Sequence, residues 1–203
     1  LHGVTGSGKT EIYLNLIKKY IEKKGNQILV LVPEINLTPQ LENRFRMRFP
    51  NKKVVILHSN INESQRLKNW RLAKSGEAQI ILGTRLAIFT PIKNLRFIII
   101  DEEHDASFKQ QEGFKYHARD VAMVRARNQN IPILMGTATP SLESWFNAKL
   151  KNDKYKLLQL NNRAVKNSSL PSIKIIPKSD FNSNSISPLI IKAIESRIER
   201  KEQ

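Results

Sequence analysis

The sequence predicts an α/β fold in which a mostly parallel sheet is sandwiched between helices, and three observations carry that prediction. Short continuous apolar runs recur along the chain, each long enough for one strand and too short for a helix. Segments with apolar residues three and four apart lie between those runs, which is the alternation of a parallel sheet with crossover helices. The stretch Gly3-Val4-Thr5-Gly6-Ser7-Gly8-Lys9-Thr10 fits G-x-x-x-x-G-K-[ST], a phosphate-binding loop that belongs between a buried strand and a helix.

Each element follows in order. Tyr13, Leu16, Ile17, Tyr20 and Ile21 form one helical face after the loop, and Gly25 is a stop for that helix. QILVLV (27–32) is a strand buried on both faces. Thr38-Pro39 reads as a helix N-cap and first helical residue, with Leu41, Phe45 and Phe49 on one stripe behind them. KVVIL (53–57) is the next strand, and Asn62-Glu63-Ser64-Gln65 opens a helix carrying Leu67 and Trp70. Strands AQIIL (78–82), RFIII (96–100) and PILM (132–135) follow, with a helix from about Ala118 to Arg127 before the last. YKLLQL (155–160) fits one more strand. Residues 161–186, rich in Asn, Ser, Lys and Pro, read as a linker between a domain over 1–160 and a helix in 187–203 that Ser187-Pro188 caps.

Composition narrows the function. The 203 residues carry 34 Lys plus Arg against 18 Asp plus Glu, a formal charge of +16 that favours phosphate backbones or anionic lipid. Cysteine is absent, which excludes disulfides and cysteine-bound zinc within the chain. No apolar run of about 18 residues crosses a membrane, and no charged n-region with an apolar h-region marks a secretory leader. A chain that opens on Leu1, two residues before a phosphate loop, is expected to be an excerpt cut just inside its first strand.

Ligands of parallel α/β sheets bind beyond the carboxyl ends of the strands, and the chemistry-bearing residues follow the apolar runs directly. The loop residues Gly3, Val4, Thr5, Gly6, Ser7 and Gly8 point backbone N–H groups at a polyphosphate, Lys9 reaches its β- and γ-phosphates, and the Thr10 hydroxyl is a ligand for Mg²⁺. In FIIIDEEHD (97–105) a buried strand delivers Asp101 towards the metal, and Glu102 is placed to orient and deprotonate an attacking water. In PILMGTATPS (132–141), Thr137 and Thr139 are placed to hydrogen-bond the turn at His104 and couple it to the γ-phosphate. Two alternatives remain open here: a nucleic-acid translocase of another kind, and a non-catalytic basic module that binds nucleic acid.

In this order the three motifs resemble motifs I, II and III of superfamily 2 helicases, and more narrowly the replication-restart DNA helicases of the primosome. GVTGSGKTE (3–11), LVPEINLTPQ (31–40), LHS (57–59), GTRLAIFTP (83–91), IIDEEHDASFKQQEGFKYHARD (99–120) and GTATPSLES (136–144) carry the resemblance. It implies a RecA-like P-loop nucleoside triphosphatase, the first lobe of an ATP- and Mg²⁺-dependent 3′–5′ helicase in the bacterial cytoplasm. Single-stranded or forked DNA, primosome proteins and single-strand-binding protein are the implied partners. Zinc and an arginine finger are implied only in a second lobe outside this sequence, so the chain alone is expected to turn over little. The resemblance assigns Thr38, Gln40, Thr84 and Arg85 to the DNA backbone, and Phe108, Lys109, Phe114 and Tyr116 to an aromatic-rich loop that stacks on bases. Phe108 and Phe114 stand where Tyr and Trp are common in that family, which keeps the aromatic character.

Overall fold

The computed structural model describes residues 1–149, 155–164, 175 and 187–200. The chain divides into two compact units, Leu1–Lys166 and Asn167–Gln203. In the first, the strands His2–Gly3 (β1), Gln27–Leu31 (β2), Val54–Leu57 (β3), Ile80–Gly83 (β4), Leu95–Asp101 (β5), Lys109–Gln110 (β6), Tyr116–His117 (β7), Ile133–Gly136 (β8) and Gln159–Leu160 (β9) are joined by the helices Lys9–Ile21 (α1), Pro39–Arg48 (α2), Glu63–Ser75 (α3), Ala118–Asn128 (α4) and Leu142–Lys149 (α5).

Five strands form one parallel sheet in the order β3-β4-β2-β5-β8. The apolar runs are buried on both faces because alternate residues enter different cores. Ile28, Val30 and Val32 pack with Tyr13, Leu14, Ile17 and Ile21 of α1 and with Phe45 of α2. Leu29, Leu31, Ile98 and Ile100 pack on the opposite face with Ala73 of α3 and Ala118, Ala122 and Ala126 of α4. Burying one such Leu, Ile or Phe contributes about 1.5–3 kcal/mol. The alanines of α4 let that helix lie close against the sheet.

The expected start of α2 is present: Thr38 accepts the Leu41 N–H at 3.3 Å, with Pro39 at the first helical position. Asn62 likewise accepts the Gln65 N–H at 2.8 Å and begins α3. The buried face of α3 differs from the apolar pair in the sequence. Leu67 is exposed, and the helix buries Asn69 and Ala73 instead. The Asn69 amide satisfies its burial by donating to the Ile56 carbonyl at 2.8 Å.

β1 is only two residues long and pairs in parallel with β9, which is itself confined to Gln159–Leu160 within the expected 155–160. On its other side β1 is tied to the end of β8: the Gly3 N–H donates to the Thr137 carbonyl, and the Thr137 N–H to the Leu1 carbonyl, both at 3.0 Å. β1, β5 and β8 therefore end side by side, and the loops that leave them share one rim of the sheet. The proposed linker falls largely on 165–174 and 176–186, outside the described residues. In the second unit, helix Pro188–Glu199 (α6) begins at Ser187, whose hydroxyl accepts the Leu189 N–H at 3.3 Å. Among the described residues no helix is long and apolar enough to cross a membrane.

Candidate active site

The glycine-rich loop turns tightly between β1 and α1. Gly6 and Gly8 have φ of 77° and 89°, left-handed values that a side chain would strain. Gly8 begins α1 without a side-chain cap, so the N–H groups of the first turn face the rim. Ser7 Oγ is buried without a hydrogen-bond partner among the described residues. Lys9 is buried, donates to the Gly3 carbonyl at 2.9 Å and lies 3.6 Å from Glu102 Oε1. Residues 5–11 of the loop line a cleft of about 310 Å³ together with Arg44, Asp101 and Glu102. Arg44, from α2, was not distinguished in the sequence by any motif.

Asp101 is the last residue of β5, opposite Gly136 of β8. Its Oδ1 accepts the Tyr13 hydroxyl at 3.0 Å. Burial pushes the Asp101 carboxyl up and the Glu102 charge adds to this, against the Tyr13 hydrogen bond and Lys9. Burial, then the Asp101 charge, pushes the Tyr13 hydroxyl up as well. Tyr13 can reach Asp101 because Gly136 leaves room: a Cβ there would stand 1.7 Å from the Tyr13 hydroxyl. Gly136→Ala is therefore expected to displace Tyr13 from Asp101 and to cost about 1–3 kcal/mol as overpacking. Urea unfolding beside Tyr13→Phe, which removes only the hydroxyl, checks this. An unchanged midpoint in Gly136→Ala would refute it.

Glu102 has a φ of 46°, unusual for a residue with a side chain. That turn brings its carboxylate back over the loop towards Lys9, and its Oε2 accepts the Ala138 N–H at 3.3 Å. His104 Nδ1 lies 2.7 Å from Thr137 Oγ1, and its Nε2 lies 3.2 Å from Thr139 Oγ1. The residues singled out in the loop, in the acidic turn and after β8 thus meet along one rim.

A second network at the same turn carries no motif in the sequence. Glu103 is 1% exposed, and its Oε1 accepts the Ser141 N–H at 2.9 Å. Its Oε2 accepts Arg119 Nη1 at 3.1 Å, Ser141 Oγ at 3.1 Å and Ser144 Oγ at 2.8 Å. Burial works against the Glu103 charge, but the Ser141 N–H, Ser144 and Arg119 outweigh it and hold the carboxyl below its usual range. The network fastens the acidic turn to the starts of both α4 and α5.

The residues assigned to DNA fare differently. Thr38 caps α2 and Gln40 is exposed beside it. Thr84 is buried, and Arg85 Nη1 donates to the carbonyls of Ser107 at 3.0 Å and Lys109 at 3.2 Å. Phe108 is fully buried in the core, so it anchors the chain rather than presenting a stacking face. Lys109 and Phe114 are exposed on the hairpin β6–β7, and Tyr116 is half-buried at its base.

The donors suit a magnesium nucleotide. Thr10 and Asp101 line the cleft, and among the described residues no group of three or more His, Cys, Asp or Glu forms a cage of its own. Mg²⁺ is commonly held by one or two protein oxygens, with water and substrate phosphates completing the shell.

A parallel sheet with this loop, lysine and acidic turn on one rim defines a P-loop nucleoside triphosphatase. The chain belongs to the DEAD/DEAH box helicase family, which it matches over residues 1–146. It is 49% identical over 203 residues to the replication restart protein PriA of Haemophilus influenzae, covering 100% of this chain and 27% of that protein. It is 42% identical over 207 residues to the PriA protein of Bacillus subtilis, covering 100% of this chain and 25% of that one. The chain thus spans about a quarter of the length of these relatives. Among solved structures, RecG bound to a three-way DNA junction matches with a TM-score of 0.51 and 26% identity, covering 71% of this chain and 18% of that one. The helicase MrfA bound to DNA and AMPPNP, at 16% identity and a TM-score of 0.56 over 80% of this chain and 24% of its own, shares the fold.

Proposed function

We propose that this chain is the ATP-binding lobe of an ATP-dependent 3′–5′ DNA helicase that acts in primosome assembly and replication restart. The observation that carries the reading is the convergence of Lys9, Asp101 and Glu102 on one cleft, with His104 bonded to Thr137 and Thr139 behind them. The loop N–H groups and Lys9 bind the phosphates. Thr10 and Asp101 would hold Mg²⁺, which would supply neutralisation of the phosphate charge. Glu102 orients the attacking water and accepts its proton. The hydrogen bonds from His104 to Thr137 and Thr139 join the acidic turn to the loop after β8, a route by which the state of the nucleotide reaches the rest of the lobe.

By the family resemblance, a charge-stabilising arginine and a cysteine-bound zinc belong to a second lobe, so this chain is expected to hydrolyse ATP slowly. Single-stranded or forked DNA is its substrate surface, primosome proteins and single-strand-binding protein are its partners, and the bacterial cytoplasm is its site of action. The charge of +16 supports the DNA assignment. Anisotropy titrations with single-stranded oligonucleotides of several sequences, at two salt concentrations and with or without ATP and Mg²⁺, test it. Affinity is expected to be independent of sequence, to change with nucleotide and to fall with salt at a log–log slope of about −0.7 per phosphate contacted. Salt-insensitive or strongly sequence-selective binding would count against the reading.

A further inference from the structure

The 3₁₀ turn Arg85–Phe89 and the hairpin β6–β7 meet through aromatic rings that the nucleotide cleft does not use. Ala87, Ile88 and Thr90 are all buried, and their burial forces Phe89 outward, where it remains 50% exposed. Leu86, three residues earlier and therefore on the same face of a 3₁₀ turn, is exposed beside it. The Phe89 ring lies 4.9 Å from that of Tyr116, and Tyr116 lies 6.0 Å from Phe114, which is 79% exposed. Both distances fall in the range of aromatic pairs, so the three rings make one surface.

We propose that Phe89 is the third ring of a base-stacking platform for single-stranded nucleic acid, with Tyr116 and Phe114, and that Arg85 is a positioning residue that straps the hairpin to the turn rather than a phosphate ligand. The proposal rests on the reading of the chain as a lobe that moves on single strands.

Two arginines hold the platform from behind. Arg125 of α4 donates to the carbonyls of Ile88 and Thr90, which fixes the backbone on either side of Phe89. Arg85 donates to the carbonyls of Ser107 and Lys109, where the chain enters the hairpin. A guanidinium turned inward in this way fixes the angle between hairpin and turn, and so the spacing of the rings. The occupant follows from what surrounds them. Lys109 and Lys115 are exposed on the hairpin, Gln111 lies exposed between them, and the whole chain is strongly cationic. Cations for phosphates beside π-faces for bases suit a single strand of any sequence.

The full 203-residue chain should be titrated with a labelled single-stranded oligonucleotide and with an abasic strand of equal length. Phe89→Ala is expected to weaken binding of the base-bearing strand about fivefold or more, with the abasic strand unaffected and Phe89→Tyr close to the parent. Arg85→Ala should show the same selective loss with an unchanged salt slope. Equal loss on both strands, or a slope shallower by about 0.7, would make Arg85 a phosphate ligand and overturn its role as a strap. Parent-like affinity of Phe89→Ala for the base-bearing strand would overturn the platform. Equal binding of both strands by the parent chain would also overturn it while leaving the DNA reading intact, and binding of neither would overturn both.

Discussion

Lys9→Ala is expected to reduce the affinity of the chain for ATP with Mg²⁺ about ten- to a hundredfold. The lysine is buried at the floor of the cleft, and its ammonium is held by the Gly3 carbonyl 2.9 Å away and by Glu102 at 3.6 Å. It is therefore already aimed at the phosphates, and little side-chain freedom is lost when they bind. A charge-assisted hydrogen bond contributes about 1.5–3 kcal/mol, and about 2.7 kcal/mol corresponds to a hundredfold in affinity. The substitution has a second consequence in the absence of nucleotide. It leaves the Gly3 carbonyl without its lysine partner and removes the cation nearest Glu102, which costs about 1–3 kcal/mol of folding stability. Titration with a fluorescent ATP analogue should be run beside Glu102→Gln. That variant removes the proposed base and leaves the phosphate ligands in place, so it should bind nucleotide within a few-fold of the parent while losing turnover. Binding by Lys9→Ala within threefold of the parent would refute the assignment of the loop.

What the sequence disclosed and what it hid divide along one physical line. Lys9, Asp101 and Glu102 were legible because their signals are local: a glycine pattern leading into a helix, and an apolar run that ends in a carboxylate. The strands of the main sheet were legible for the same reason, since burial on both faces leaves a continuous apolar run in the chain. The contact between Tyr13 and Asp101 spans 88 residues and depends on the missing side chain of Gly136, which no periodicity records. Helical spacing placed Tyr13 on the buried face of α1 but could not say what it would touch. Phe108 and Phe114 have the same composition and similar neighbours in sequence. Only the hairpin decides that one enters the core and the other reaches solvent. The contacts of Arg85 were hidden because a sequence does not show which way a guanidinium turns, and the two carbonyls it binds lie 22 and 24 residues away. Leu67 misled in the opposite direction: apolar residues mark the inner face of a helix on average, and in α3 a hydrogen-bonded Asn69 takes that place.

The largest loss of stability is expected from Glu103→Ala, about 3–5 kcal/mol, with a fall in melting temperature on the order of 10 °C. Glu103 stands beside the proposed base and makes no contact with the nucleotide cleft in this structure; its carboxylate joins three elements instead. Removing it leaves the buried Arg119 side chain, among the described residues, with Ser141 and the exposed Asp120 to bond. It also frees the Ser141 N–H and the Ser144 hydroxyl at the start of α5. A buried cation that loses its partner is the main term, because its desolvation is no longer offset. The converse substitution, Arg119→Ala, leaves a buried carboxylate bonded, among the described residues, to the two serines and should cost a similar amount. The double substitution should then cost less than the sum of the two by about 1–3 kcal/mol, since each single change has already broken the same pair. Glu103→Gln separates charge from shape: it retains an acceptor for the serines, and its loss should be clearly smaller than that of Glu103→Ala. Urea unfolding of the four chains measures the cycle. Strict additivity of Glu103→Ala and Arg119→Ala would show that the two side chains are uncoupled. In that case the acidic turn would be fastened to α5 by the serines alone, and Arg119 would add nothing to its fastening.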